Sequence, residues 1–263
     1  MADIVGISTA CFYPLETELS LAKLCDAGVK SCEVFFNTAS ELEPSFIKML
    51  YDSCRQSGMA VSSVHPYSSF AESYGLFSTY NRRFKDTLEQ YKRYFPAMNK
   101  LGARVLVIHG AKPDIGISDE EFFERFGELV RAGAEQGCIV AQENVVYYKS
   151  ESPEFLVRMK NALGSDFHMV LDNKQALRAG FKPSVYIDAL AGSIVHVHLS
   201  DSDDLKDCIP PGEGTFDYPA LFCELKRSGY TGDYTVELYS KSFKDESQIY
   251  AAREHLQSIL CSL

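Results

Sequence analysis

Glu143, Asp172, His198 and Glu237 each stand at the end of a short apolar, β-branched run: Ile139-Val140-Ala141-Gln142, Met169-Val170-Leu171, Val195-His196-Val197 and Tyr234-Thr235-Val236. A carboxylate or imidazole at the end of a buried strand is costly unless it is paired or coordinates a cation. Three carboxylates and one imidazole make an oxygen and nitrogen donor set suited to one divalent metal ion of the Mn, Mg, Co or Zn type, unlike the thiolate sites of softer metals. Taken singly, each of the four reads more readily as a hydrogen-bonded or ion-paired structural residue. Taken together, three buried carboxylates at one point would repel one another strongly without a cation. The set therefore predicts a shared metal site.

Side chains this distant in sequence meet only if a regular scaffold brings them together. Strand-like runs number eight and cover residues 3–9, 30–36, 60–65, 104–109, 138–143, 167–172, 193–199 and 233–238, with amphipathic helical stretches between them. Each separation leaves room for a crossover helix, so all eight strands can be parallel. Gly28 after Leu24-Cys25-Asp26-Ala27 marks a helix C-terminus, and Ser118-Asp119-Glu120-Glu121 opens another helix. One unit repeated eight times over 263 residues predicts an α/β fold, a single (β/α)8 TIM barrel forming one domain over 1–263. Sites in that architecture lie at the C-terminal ends of the strands. Those ends carry Ser8 and Thr9, Glu33, His65, His109, Glu143, Asp172, His198 and Glu237. Adjacent strand ends lie about 5 Å apart, close enough for the last four side chains to converge.

Charge and composition narrow the partners. There are 26 Lys and Arg against 36 Asp and Glu, a net charge of −10, and no basic cluster offers the counterion release on which nucleic-acid binding draws. With 46% apolar and 24% charged residues the chain is of globular type, long enough to be stable without disulfides or a structural metal. The eight cysteines form no CxxC pair and read as reduced core thiols. The N-terminal residues lack a basic leader, and no run of 18 apolar residues occurs, so a cytoplasmic protein with no membrane partner is expected. The outer helix faces leave a homo-oligomer open.

The runs Gln142-Glu143-Asn144, Leu171-Asp172, His196-Val197-His198-Leu199-Ser200-Asp201, Pro211-Gly212-Glu213-Gly214 and Val236-Glu237 resemble the xylose isomerase-like TIM-barrel superfamily. That group holds sugar isomerases and epimerases, inosose dehydratase and endonuclease IV. The resemblance covers nearly the whole chain, and the four-ligand set is its specific part. It implies that Glu143, Asp172, His198 and Glu237 bind one divalent ion and that Glu143 and Glu237 also act as acid and base. A metal chelating the carbonyl and a neighbouring hydroxyl of a sugar or sugar phosphate acidifies the C–H beside them and stabilises the resulting enediolate. A proton removed on one face is then returned on the other. The expected function is a metal-dependent carbohydrate isomerase or epimerase, with manganese among the ions considered. An inosose-type dehydratase and a non-catalytic sugar-binding barrel are the alternatives. Gln175 stands where family members often have histidine, and Asp204 where a ketohexose 3-epimerase carries arginine, so a known ketohexose specificity is not implied. Endonuclease IV is disfavoured further, since its trinuclear zinc site needs the missing histidine and a further Asp/His pair.

Further residues are candidates for contact with substrate. His65 and His109 point toward the same mouth and are expected to bind sugar hydroxyls, or else to hold loop carbonyls. Lys174, just past a ligand carboxylate, suits a substrate phosphate or carboxylate, or an ion pair with Asp172 or Glu143. Gln175 joins it by position. Glu33 is read as orienting a ligand or hydroxyl, or as a structural pair. Tyr147, with Phe12, Tyr13, Phe35 and Phe36, could supply apolar walls for sugar C–H faces. His196 lies one layer deeper than His198, His168 and His255 read as structural, and Asp201 and Glu213 as supports for His198 or helix caps.

Overall fold

The β-branched runs become eight short strands, and the stretches between them become helices. The computed structural model describes residues 4–263, so the start of the first predicted strand, Asp3, lies outside the described residues. The strands are β1 (Val5–Ser8), β2 (Ser31–Phe35), β3 (Ala60–His65), β4 (Val105–Ile108), β5 (Ile139–Glu143), β6 (Met169–Asp172), β7 (Ile194–Leu199) and β8 (Tyr234–Val236). They form a closed barrel in chain order, every pair parallel, with β1 sealing against β8 through Val5 opposite Tyr234. His109 and Glu237 fall one residue beyond the ladder, where a polar side chain turns into the mouth.

Around the barrel run α1 (Thr17–Asp26), α2 (Pro44–Ser57), α3 (Asn81–Lys92), α4 (Tyr94–Leu101), α5 (Asp119–Ala134), α6 (Pro153–Leu163), α7 (Asn173–Arg178), α8 (Pro183–Ala189), α9 (Tyr218–Arg227) and α10 (Ser247–Ser262). Two crossovers hold a pair of helices where sequence periodicity suggested one. The predicted caps form: Ser118 accepts a hydrogen bond from the Glu121 amide across the first turn of α5, and Gly28 takes φ 70° just past α1. None of the described helices is long and apolar enough to cross a membrane.

Parallel strands between a barrel interior and a helix layer are buried on both faces, which is why the runs are nearly continuous in apolar residues. Most of the core lies between strands and helices, whereas Val105, Val107, Ala141 and Val170 pack as a separate cluster. Ala141 and Val170 precede Glu143 and Asp172 by two residues, so by strand periodicity they share the inward face one layer below the ligands. All eight cysteines are free thiols. The core reading fails for Cys261, which is exposed because it sits on the outer face of the last turn of α10.

Barrel closure depends on Gly6. A Cβ there would lie 2.6 Å from the Ser31 carbonyl oxygen on β2, a backbone atom that cannot swing aside. Gly6→Ala is expected to cost about 3 kcal/mol of stability, measured as a lower denaturant midpoint; an unchanged midpoint would show that the β1–β2 contact has slack.

Candidate metal and acid-base site

Strands β5 to β8 deliver Glu143, Asp172, His198 and Glu237 to one place, with one donor atom of each within 4.8 Å of every other. His198 Nδ1 lies 3.6 Å from Glu143 Oε1 and 3.6 Å from Glu237 Oε2, so the imidazole stands between the two glutamates. Glu143 Oε2, Asp172 Oδ2 and His198 Nδ1 are fully buried and have no hydrogen-bond partner. Asp172 Oδ2 is met only by the Lys174 ammonium at 3.1 Å and Glu143 Oε2 by His109 Nε2 at 3.0 Å, and a cluster of buried polar atoms so sparsely satisfied has the chemistry to hold a cation. The donor set fits a divalent ion.

The ring of His198 is held for that role. Its Nε2 faces Glu33 Oε2 at 3.0 Å, and Glu33 also accepts from Ser8 Oγ at 3.0 Å and Ser63 Oγ at 2.8 Å. A carboxylate on the far nitrogen of an imidazole leaves the near nitrogen with its lone pair toward the site. Glu33 is wholly buried beneath His198, so it supports a donor and does not reach a substrate. Burial would raise its pKa, but His198, His65 and His196 outweigh burial and hold it below the usual carboxylate range.

Neighbouring strand ends are spliced by asparagine. Asn144 donates to the Asp172 carbonyl and accepts from the Asp172 amide at 3.0 and 2.8 Å. Asn173 does the same with Ser200 across β6 and β7, at 2.7 and 3.0 Å. Each of these asparagines follows a ligand directly, a repeated acid-Asn pair that is visible in sequence and was not singled out there. Asp172 Oδ1 caps α7 by accepting from the Gln175 amide at 3.0 Å, which leaves Oδ2 for the site.

The glutamates sit in unlike surroundings. Glu143 is buried, and His109 Nε2 approaches its Oε2 at 3.0 Å. His65 stands behind, with its Nε2 2.9 Å from His109 Nε2 and its Nδ1 3.2 Å from the Pro66 carbonyl. Donation of the Nδ1 hydrogen to Pro66 makes His65 Nε2 the acceptor and His109 Nε2 the donor. Glu237 is partly open, with its side chain 16% exposed. Burial would raise both glutamates, but His109 and His198 beside Glu143, and Lys174 and His198 beside Glu237, hold them below their ordinary values. Asp172 is pushed up to about 6 by burial, against the pull of Lys174.

The remaining predicted contacts distribute unevenly. His109 faces the mouth, His65 is buried behind it and stacks on Phe35 at 4.7 Å. Lys174 turns inward, its Nζ 3.1 Å from Asp172 Oδ2 and 3.1 Å from Glu237 Oε2. Of the two ion pairs considered from sequence, that with Asp172 forms; Glu143 gives way to Glu237. Gln175 is buried and its Oε1 accepts from the Val146 amide at 3.2 Å, fixing the loop after β5. Tyr147 is 77% exposed at φ 67° and projects into solvent. His196 hydrogen-bonds Ser63 in the layer below. Asp201 accepts from the amides of Ser202, Gly212, Gly214 and Phe216, so it shapes the loop after β7. Exposed Glu213 accepts from Gln248.

Past the carboxyl ends of β6 to β8 opens a cleft of about 1050 Å³, walled in part by Arg178, Lys206, Tyr239, Lys241 and Lys244. It lacks the four donors but meets them at Tyr239, whose ring lies 5.1 Å from Lys174 Nζ.

A family model described as xylose isomerase-like TIM barrel matches residues 21–259. The chain belongs to that family. Within the xylose isomerase-like barrels, it is 32% identical over 78 residues to L-ribulose-5-phosphate 3-epimerase UlaE of Salmonella paratyphi C, a match covering 29% of this chain and 28% of that protein. The Escherichia coli counterpart is 34% identical over 74 residues, 27% of this chain and 26% of the relative. The matches thus span little more than a quarter of these relatives' length. Among solved structures, a D-tagatose 3-epimerase-like protein superposes with TM-score 0.80 at 20% identity, covering 98% of this chain and 97% of its own. An L-ribulose 3-epimerase gives TM-score 0.80 at 17% identity, covering 100% and 95%. At these identities the superpositions establish the fold.

Proposed function

We propose that this chain is a divalent-metal-dependent carbohydrate epimerase or isomerase, with Glu143 and Glu237 as its acid-base pair and Glu143, Asp172, His198 and Glu237 as the metal ligands. The convergence of three orphaned buried donors on one point, with His198 oriented by Glu33, carries this reading. The named activities of the relatives, ribulose-5-phosphate and ketose 3-epimerases, agree with it. A bound divalent ion would polarise the carbonyl and neighbouring hydroxyl oxygens of a sugar and acidify the C–H beside them.

The chain's own residues account for the proton traffic. Glu143 and Glu237, on either side of His198, flank the place where a sugar carbon would lie, so one takes a proton from one face and the other returns one to the opposite face. Both are held ionised before reaction, the state the base requires, and the glutamate that returns a proton first takes one up from solvent. Glu143 meets His109 at 3.0 Å and Glu237 meets Lys174 at 3.1 Å, so the two glutamates exchange protons in unlike surroundings. The adjoining cleft sets Arg178, Lys206, Lys241 and Lys244 among Asp203, Asp207 and Glu213, with Arg178 paired to Asp207, so free and phosphorylated ketoses both belong in the test. The eight free thiols suit a cytoplasmic setting.

The test is elemental analysis of the purified full chain, followed by incubation with ketoses and ketose phosphates in deuterated water with added Mn, Mg, Co or Zn. About one divalent ion per chain and deuterium on the carbon beside the carbonyl, with sugar mass otherwise conserved, is the expected result. A product lighter by one water would identify a lyase instead. No ion retained with any of the four metals would remove the shared site.

A further inference from the structure

Lys174 is a resident cation on the proposed metal site. Its ammonium touches Asp172 Oδ2 and Glu237 Oε2, each at 3.1 Å, and the side chain is 2% exposed. Asp172 has no second oxygen to offer, because Oδ1 is committed to the Gln175 amide at the start of α7. The ammonium donates to Glu237 at 3.1 Å, yet Asp172 Oδ2 still has no hydrogen-bond partner. Its hold on Asp172 is one of charge and proximity, and that is an interaction a second cation can replace.

The side chain has somewhere to go. The Tyr239 ring lies 5.1 Å from Nζ on the side of the cleft, and Arg178 anchors that ring by donating to its hydroxyl at 2.9 Å. The ammonium is already within cation–π range of that ring, which Arg178 and Lys241 share at 5.4 and 6.0 Å, and a flexible four-carbon stem lets it keep the ring while leaving the carboxylates.

Building on the metal-site reading above, we infer that Lys174 is a tethered competitor for the divalent ion. It occupies the Asp172–Glu237 edge and must be displaced toward Tyr239 before both carboxylates can ligate. Two consequences follow from charge alone. Divalent affinity is weaker than the four donors would otherwise give, since the ion must break an ion pair and then share the site with a nearby positive charge. Once displaced, the ammonium stands at the junction of site and cleft, where it faces an incoming anionic group.

The experiment is calorimetric titration of Mn(II) into chelator-stripped full chain, comparing wild type with Lys174→Met, Lys174→Gln and Lys174→Arg, alongside thermal melts with and without chelator. Removal of the charge is expected to tighten Mn(II) binding by roughly 10-fold or more, and Lys174→Arg to remain near wild type. In chelator, Lys174→Met and Lys174→Gln should melt below wild type, because the carboxylates lose their internal cation, and should gain more from Mn(II). Circular dichroism checks that each variant is folded, and the glutamine, which can still donate to Glu237, serves if the methionine is not. Equal or weaker binding by the neutral variants, with wild type taking up one ion, would overturn the competition while sparing the metal site. No uptake by any variant would overturn both.

Discussion

Glu143→Gln and Glu237→Gln will each lower turnover by roughly 10³-fold at saturating metal, while the folded barrel persists. An amide keeps an oxygen for the ion but cannot accept the proton, so the defect lies in the chemistry more than in binding. The two variants should fail differently. In a two-base mechanism each epimer surrenders its proton to a different glutamate. Glu143→Gln should therefore still exchange the C–H of one epimer with deuterated water through Glu237, and Glu237→Gln the C–H of the other. The surroundings sharpen this: Glu237 stands at the partly open mouth beside Lys174, whereas Glu143 is buried against His109, so the two should wash in label at different rates. Retention of a tenth of wild-type activity by either variant, or identical exchange patterns in both, would show that the glutamates do not divide the two faces between them.

Glu72→Gln is expected to stabilise the protein at alkaline pH by on the order of 2–4 kcal/mol. Glu72 is fully buried, with Oε2 accepting from the Gly110 amide at 2.6 Å and Oε1 from Tyr91 Oη at 2.9 Å. Burial outweighs those two donors and pushes its pKa from 4.5 up to about 8. A raised carboxyl keeps its proton in the folded chain where the unfolded chain has already released it. Wild-type stability therefore falls as pH climbs from about 4.5 to about 8 and levels off above. A glutamine in the same place accepts from Gly110, donates to Tyr91 and does not titrate. Melting curves at pH 5 and pH 8.5 should converge at the lower pH and separate at the higher. Parallel shifts at both would show that Glu72 is ionised throughout. Because Gly110 follows His109, the amide also preserves the backbone that carries that imidazole, and the variant should keep its proton-transfer activity.

The barrel and its four converging donors were legible because β5 to β8 each corresponded to an apolar run that ended in an ionisable residue, and strand ends in this architecture share one mouth. Strand limits were overread by a residue or two, as at Glu237, whose amide still reaches the Leu199 carbonyl although the paired residues end at Val236. What lay hidden depended on direction and closure. Lys174 follows Asp172 by two residues, and only the first turn of α7 decides that its ammonium swings back between Asp172 and Glu237. Glu33 had two readings until barrel closure brought Ser8, Ser63 and His198 around one carboxylate. Glu72 lies in a short 3-10 helix over Ser69–Tyr74, and its partner Tyr91 comes from α3, so nothing local announces it. Tyr147 looked like a site wall from its neighbours, but a left-handed backbone turns it outward.

The seal between β1 and β8 also sets an order of events during synthesis. β1 leaves the ribosome before the other seven barrel strands, and its partner is the last of the eight to be made. One edge of β2 to β7 can be satisfied as each successor emerges, but the outer edge of β1 presents unpaired amides and carbonyls until β8 arrives. The nascent barrel is thus longest at risk at β1, and chaperone occupancy should persist there until β8 has been translated and closes the ring.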